Sequence, residues 1–291
     1  MRPSLSAVLG SLTLVASVPV SLPISNQLQN ILDNTDNVGA ISIEADVWLY
    51  NDTLYVGHES AALTPQRTLQ FLYIDPIMSV LNSTNPVNAF TTTQAHPNGV
   101  FDTSSGQTLY LFIDLKTSGP ETWPVVVDAL EPLRSAGYLT TYNGTSNGIT
   151  AGPVTVIGTG NTPQSNFTDP SEPRDYFFDA NLAMLSTTQS NITSDISPIA
   201  SCQFSRFIGE ITTEANSSLS GFNETQLETL RGHLSTAAEK GIKGRYWDTP
   251  GWPTSVRNGV WEVLEREGVG LLNADDLVAA AGFNGWTSGN W

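Results

Sequence analysis

The chain has 291 residues, 28 acidic against 12 basic side chains, and a formal net charge of −16. This negative charge disfavours binding to nucleic acid and electrostatic docking on anionic membranes, because both surfaces are negative themselves. Hydrophobic residues make up 40% of the chain, enough for a sizeable core, and the length fits one large domain or two small ones. The single cysteine, Cys202, excludes an internal disulfide and is expected to be a small buried apolar residue.

The N-terminus carries an apolar run from Leu5 to Ile24 that follows one basic residue, Arg2. Such a run with small residues near Ala16 is typical of a secretory signal, and its two prolines favour cleavage over an uncleaved anchor. We therefore expect a signal peptide at residues 1–24. Seven Asn-X-Ser/Thr sequons predict that the secreted chain is glycosylated. No later segment is apolar for long enough to cross a bilayer.

The next feature is an alternating run over Ala40–Leu49, which predicts a strand. Glu44 and Asp46 are two residues apart, so in a strand they share one face. Neighbouring acids repel each other, and a bound Mg²⁺ or Ca²⁺ removes that repulsion because these ions take oxygen ligands. His58 follows a second short strand-like run, reached through an Asn51-Asp52 turn. The stretch predicts a metal pair with a titratable group nearby.

A second charged strand end lies at Leu109–Leu115, where an apolar run leads into Lys116. Asp114 and Lys116 share one face of the predicted strand. Asp114 is a candidate third carboxylate ligand, and Lys116 is a candidate contact for a phosphate oxygen. An Asp/Lys pair that only satisfies itself at the strand end explains this segment equally well.

The late segment around Arg245, Trp247 and Asp248 places an aromatic residue between two charges at a predicted strand end. We interpret these three residues as candidates for a substrate pocket, although an aromatic core residue before a proline turn explains the segment slightly better. His96 lies in a polar loop and His233 in a predicted surface helix, so both are expected to be bystanders.

Seven β-rich runs alternate with helix-like runs, which predicts a parallel sheet covered by helices. The predicted strands are Ala40–Leu49, Leu109–Leu115, Val154–Gly158, Asp175–Phe178, Ile199–Phe204, Ile242–Trp247 and Val269–Leu272. The predicted helices are Ser25–Asp33, Thr68–Leu81, Thr122–Ala136, Glu224–Gly241, Thr254–Glu267 and Ala274–Ala281. Residues 143–152 and 161–173 are predicted surface loops.

This order favours an α/β fold of the TIM-type (β/α) barrel over residues 25–291. Such a barrel normally has eight strands, and the first one is missing or degenerate here. Only Val18–Ile24, within the predicted signal, has β-like composition ahead of Ala40.

Six segments in this order resemble one protein family. They are Ser42–Trp48, Tyr55–Glu59, Leu63–Leu69, Ile113–Lys116, Val156–Asn161 and Arg245–Pro250. Together they resemble the fungal "altered inheritance of mitochondria" protein six family, over about Gly39 to Phe283. That family is similar to the phospholipase-C-like phosphodiesterase superfamily, which includes glycerophosphodiester phosphodiesterases and sphingomyelinase-D-like enzymes.

The resemblance implies a TIM-type barrel and a divalent cation held by Glu44, Asp46 and Asp114. It implies that His58 is one of two catalytic histidines that act as acid and base on a phosphodiester. Lys116 would then neutralise the phosphate of a small phosphodiester or phospholipid substrate.

The resemblance also implies that Trp247 lines the pocket, but the chain departs from the family pattern at its front. Family members carry a His-Asn-Asp-Tyr-type segment on the first strand, and no histidine precedes His58 here. Losing one member of an acid/base pair removes a factor of roughly 10²–10⁴ in rate. We expect a secreted phosphodiester hydrolase impaired by this loss. A non-catalytic phospho-ligand-binding protein and a secreted glycosidase with two catalytic carboxylates stay open as alternatives.

Overall fold

The computed structural model describes residues 14–16, 40–91, 96–102, 104–145, 148–211, 221–276 and 279–280. The strands in this part of the chain are β1 (Leu14–Ala16), β2 (Ala40–Tyr50), β3 (Thr53–Val56), β4 (Leu109–Leu115), β5 (Thr141–Tyr142), β6 (Ile149–Thr150), β7 (Val154–Gly160), β8 (Phe177–Phe178), β9 (Ala180–Asn181), β10 (Ile199–Gln203), β11 (Lys243–Trp247) and β12 (Leu271–Ala274). The α-helices are α1 (Asp75–Thr84), α2 (Gly119–Ala129), α3 (Glu131–Ser135), α4 (Phe204–Phe207), α5 (Glu224–Glu239) and α6 (Thr254–Arg266). None of these helices is long and apolar enough to cross a membrane.

The fold is a mixed α/β arrangement around one parallel sheet, as the alternating pattern predicted. The sheet runs in the order β8-β7-β4-β2-β1-β12-β11-β10-β9, and β3 pairs antiparallel with β2 at the side of this path. Its two ends, β8 and β9, are separated along the chain by Asp179 alone. The segment 177–181 therefore pairs with β7 through its first half and with β10 through its second half.

Several strands lie where the sequence pattern placed them, because the pattern reports burial directly. β4 has the predicted bounds, and β2 extends the prediction by one residue. Ile43, Ala45 and Val47 on one face of β2 are fully buried, whereas Glu44 on the other face is only partly covered. The apolar face of β2 packs in the core, and its polar face is left for a site.

Other boundaries were wrong, for identifiable reasons. The predicted strand Asp175–Phe178 begins only at Phe177. Asp175 lies ahead of it, and its carboxylate pairs with Arg134, with Nε 2.5 Å from Oδ2. The predicted loop over residues 143–152 contains β6, which pairs antiparallel with β5. Ala274 ends β12 instead of starting a helix. Within the predicted helix Ala274–Ala281, residues 279–280 are helical, and only residues 277–278 and 281 lie outside the described residues. The predicted helix Ser25–Asp33 lies outside them entirely.

Two predicted helices are divided in the structure. The predicted helix Thr122–Ala136 forms α2 and α3, with a break next to Pro132, which has no backbone N–H to continue the hydrogen-bond ladder. The predicted helix Thr68–Leu81 starts with a π-helical turn over Gln70–Ile74 before α1 begins. By contrast, α5 and α6 stay within about two residues of the prediction.

β1 lies between β2 and β12, which is the position in the sheet where the predicted barrel lacked its first strand. We call this position the first-strand place. It pairs in parallel with both, and Val15 lies in register with Ser42 on one side and Asn273 on the other. The sequence pattern had pointed to Val18–Ile24, which lies outside the described residues. β1 belongs to the predicted signal peptide, so cleavage after residue 24 would remove it and expose the edges of β2 and β12.

We expect that deletion of residues 1–24 will destabilise the protein, because the unpaired edges of β2 and β12 lose their ladder hydrogen bonds. The thermal unfolding midpoint should fall by roughly 5 °C or more, since about 1 kcal/mol shifts it by about 2–4 °C at this size. Deletion of residues 1–10, which keeps Leu14–Ala16, is the matched control. Equal midpoints for the two truncated chains would contradict a structural role for β1.

Candidate functional site

Three carboxylates meet where the C-terminal end of β4 pairs with the middle of β2. The register of these parallel strands puts Asp46 directly opposite Asp114, and Glu44 lies two residues earlier on the same face of β2. Each acid offers one oxygen, and these oxygens lie within 4.8 Å of one another. Their side chains are between 16% and 22% exposed. An all-oxygen donor set of this kind fits Mg²⁺ or Ca²⁺, as the sequence predicted.

Lys116 bridges two of these acids. Its Nζ lies 2.6 Å from Asp114 Oδ2 and 3.0 Å from Asp46 Oδ1, so the shared face predicted for Asp114 and Lys116 is confirmed. Burial raises the pKa of the Asp114 carboxyl above its ordinary value, against the opposing effect of Lys116. Burial lowers the pKa of Lys116, but the two carboxylates outweigh it and hold the pKa above its ordinary value. Lys116 is therefore a charged partner of the acids at neutral pH.

The β2–β3 hairpin brings His58 to the acids. Asn51 and Asp52 form the predicted turn in left-handed conformations, with φ of 48° and 59°. The chain then runs back along β2, and the Gly57 N–H donates to the backbone oxygen of Asp46 at 3.0 Å. His58 follows directly, with Nδ1 3.3 Å from Asp46 Oδ2. Its side chain is 76% exposed, so the ring is anchored on one nitrogen and open to solvent.

Arg245 reaches Glu44 from β11, on the far side of β1 and β12. Its Nη2 donates to Glu44 Oε2 and to Asn273 Oδ1, the latter at 2.7 Å. Arg245 is 3% exposed, and its guanidinium carbon lies 4.7 Å from the centre of the Phe112 ring. The sequence made Arg245 a candidate for a substrate pocket, and the structure brings it into contact with Glu44.

Gly160 ends β7 next to the third acid, Asp114. It adopts a positive φ of 65°. A Cβ at this position would collide with Asp114 Oδ1. Only glycine therefore allows the backbone to approach the third acid this closely.

Sequence reasoning missed Asp179, a fourth acid between β8 and β9. Its Oδ2 accepts a hydrogen bond from Thr159 Oγ1 at 2.9 Å, and Thr159 lies in register with Asp114. Its Oδ1 is buried and has no hydrogen-bond partner among the described residues. Burial raises the pKa of Asp179 to about 6, against the opposing effect of Arg245. The available signal was its place directly after Phe178 in an apolar run.

Trp247 and Asp248 lie at the open end of β11. Trp247 is 42% exposed, and Asp248 adopts a positive φ of 58°. The Asp248 carboxylate accepts hydrogen bonds from Gln203, at 2.9 Å, and from Ser205. Asp248 lines a cavity of about 760 Å³ that also includes Trp252, but none of the three clustered acids lines it.

The two remaining histidines are not part of this cluster. His233 on α5 lies 3.0 Å from the hydroxyl of Tyr246, and burial lowers the pKa of its imidazole. His96 is exposed. The described contacts of the acids include neither residue.

A family model described as an AIM6-like phosphodiesterase domain matches residues 30–179. A relative from Arthroderma benhamiae, "Altered inheritance of mitochondria protein 6 homolog", is 52% identical over 85% of this chain and 76% of its own length. "Altered inheritance of mitochondria protein 6" from Eremothecium gossypii is 34% identical over 84% of this chain, and that from Lachancea thermotolerans is 35% identical over 82%. The chain spans 64% and 59% of these two proteins.

The site and fold thus belong to a protein with a phosphodiesterase-type domain. The chain is a member of the altered inheritance of mitochondria protein 6 family, as its motifs indicated. Two solved structures are also similar to it. A glycerophosphodiester phosphodiesterase from Agrobacterium tumefaciens aligns over 93% of this chain and 100% of its own, with 11% identity and a TM-score of 0.46. A glycerophosphoryl diester phosphodiesterase from Parabacteroides distasonis aligns over 96% and 88%, with 12% identity and a TM-score of 0.49.

We expect Asp46→Ala to weaken Mg²⁺ and Ca²⁺ binding, because Asp46 supplies one of three clustered carboxylates. Calorimetric titration of the full chain measures this directly. The matched control is Asp52→Asn, which also removes one negative charge from the β2–β3 hairpin but lies outside the cluster and suits the left-handed turn. Unchanged affinity in Asp46→Ala would refute the site.

The Asp179 carboxyl should make the folded state less stable as the pH rises. Below about pH 4 both the folded and the unfolded state hold the proton, whereas towards pH 6 and above the folded state must carry a buried charge. Asp179→Asn removes this penalty, so its free energy of unfolding relative to the natural chain should rise by up to about 3 kcal/mol between pH 4 and pH 8. Denaturant unfolding at both pH values measures the difference. Parallel pH profiles would contradict a raised pKa.

Proposed function

We propose that this protein is a phosphoric diester hydrolase that acts on a glycerophosphodiester or another small phospholipid-derived substrate. The observation that carries the proposal is the convergence of Glu44, Asp46 and Asp114 with Lys116 and His58. Membership of a family whose model describes a phosphodiesterase domain supports it. We propose further that the sheet is a TIM-type barrel that closes through residues 177–181.

The three acids would hold Mg²⁺ or Ca²⁺ and would keep it at the phosphate end of the substrate. When bound, such a cation supplies electrostatic stabilisation of the charge that develops on the phosphoryl oxygens. Lys116 supplies a second positive charge in the same place, since its ammonium group already lies between Asp46 and Asp114. In a chain with a net charge of −16, this local positive charge is what allows an anionic substrate to approach.

His58 would transfer a proton to or from a substrate oxygen. Asp46 lies at Nδ1 of the ring, and a carboxylate there favours the tautomer in which Nδ1 carries the hydrogen. Nε2 is then left as the acceptor, on a side chain that is open to incoming substrate. The geometry gives one proton-transfer group with a defined direction.

A non-catalytic protein that binds a phosphorylated ligand is the second candidate. The observation that favours it is the composition of β1, which consists of Leu14, Val15 and Ala16. None of these residues exchanges protons, and no histidine precedes His58. Such a protein would keep the metal site and Lys116 but would turn over no substrate.

We expect the chain as written to hydrolyse phosphodiesters weakly or not at all, because His58 is the only histidine that the described contacts bring to the acids. Grafting a first strand with a His-Asn-Asp-Tyr segment ahead of Asn26 should raise turnover of a lysophospholipid or glycerophosphodiester by roughly 10²–10⁴. The same graft with alanine in place of its histidine is the control. Strong activity in the unmodified chain would show that another group supplies the missing step, and no gain in a graft that folds and binds metal would refute the phosphodiesterase proposal.

We also propose that the protein is secreted and glycosylated, on the basis of the apolar N-terminus and the seven sequons. Mass spectrometry of protein from a fungal host should show a trimmed chain that starts within about residues 17–25 and carries N-linked sugar. Trimming there would also remove β1, so the intact mass decides whether the mature protein keeps its first strand. An intact Met1 and no sugar would contradict the proposal.

A further inference from the structure

Arg245 is a buried charge that contacts one acid of the cluster, one amide and one aromatic ring. Its Nη2 donates to both Glu44 Oε2 and Asn273 Oδ1, and Phe112 packs against the guanidinium plane. Glu44 and Arg245 are 201 positions apart in the chain, so their contact depends on the assembled sheet. This contact fixes the one acid of the cluster that Lys116 does not touch.

The stability of the core does not by itself account for Arg245. Its Nε is buried without a hydrogen-bond partner among the described residues, and an unsatisfied buried donor is destabilising. Buried ion pairs can often be replaced by apolar residues of similar volume without loss of stability. An arginine in this place therefore points to a role in the site.

We propose that Arg245, anchored by Asn273, is a positioning residue that holds Glu44 ready as a metal ligand. The guanidinium occupies Oε2, so Oε1 remains to bind the ion and the side chain stays in one place. The positive charge also offsets the repulsion between Glu44 and Asp46, which would otherwise drive the two carboxylates apart. This inference rests on the proposed function, because it requires that the three acids bind a divalent cation.

The first test is the affinity of the full chain for Mg²⁺ and for Ca²⁺, measured by calorimetry in Arg245→Met and Asn273→Ala. Residues that orient metal ligands typically change affinity about 10–100-fold, and we expect a loss in that range for Arg245→Met and a smaller loss for Asn273→Ala. Arg245→Lys should restore part of the affinity, since it keeps the charge but lacks the planar fork. Arg231→Met is the matched control, because it breaks an Arg–Glu pair with Glu267 at the surface, away from the acids.

A double-mutant cycle separates positioning from a general structural role. Once Glu44→Gln has removed the ligand charge, adding Arg245→Met should cause little further loss of affinity. Equal losses in both backgrounds would show that Arg245 acts on the whole fold and would overturn the proposal. Unchanged or tighter binding in a folded Arg245→Met chain would overturn it too, because Arg245 would then compete with the metal for Glu44.

Asn273→Ala keeps the test decisive if Arg245→Met does not fold. Unaltered affinity in folded Asn273→Ala would then overturn the proposal. A natural chain that binds neither ion would refute the proposed function together with this inference. A natural chain that binds the ions while Arg245→Met binds them equally well would refute the inference alone.

Discussion

Mutual repulsion of three carboxylates is the constraint on which this site depends. The register of β2 and β4 puts Asp46 beside Asp114, at about the 4.8 Å spacing of neighbouring strands, and Glu44 shares their face. A fold with this register has to supply positive charge within a few ångströms. Lys116 supplies it from β4 and Arg245 from β11, so the protein alone brings two permanent cations to three acids. The remaining negative charge is what would attract the divalent ion proposed for this cluster.

The acid cluster also restricts neighbouring residues that form no ion pair with it. Gly160 has a left-handed backbone because a side chain there would displace Asp114. Phe112 packs beneath the guanidinium of Arg245, which keeps that charge in line with Glu44. A change in any of these neighbours would move a carboxylate by small distances, and coordination of a small hard cation is sensitive to such shifts.

Much of the fold and part of the site could be predicted, because the local pattern of apolar and polar residues indicates which side chains are buried. The two-residue alternation around Glu44 and the continuous apolar run before Asp114 located both strands and all three acids. The partnership of Arg245 with Glu44 left no local trace, since it joins residues 201 positions apart. Asp179 was missed for a related reason. Its importance comes from a segment that pairs with β7 and β10 at once, and such pairing is a property of the assembled sheet.

At the first-strand place, pairing with the neighbouring strands and supplying a side chain for proton transfer are separate requirements. Main-chain hydrogen bonds accept almost any extended segment, so Leu14, Val15 and Ala16 can pair with β2 and β12 on backbone groups alone. Proton transfer, in contrast, needs a particular side chain, and these three residues have none. The acid cluster does not depend on a histidine at this place, because Glu44, Asp46 and Asp114 are held by β2, β4 and β11. The proposed binding of a cation and a phosphate would therefore not depend on β1, whereas the proposed turnover would depend on the side chains at that place.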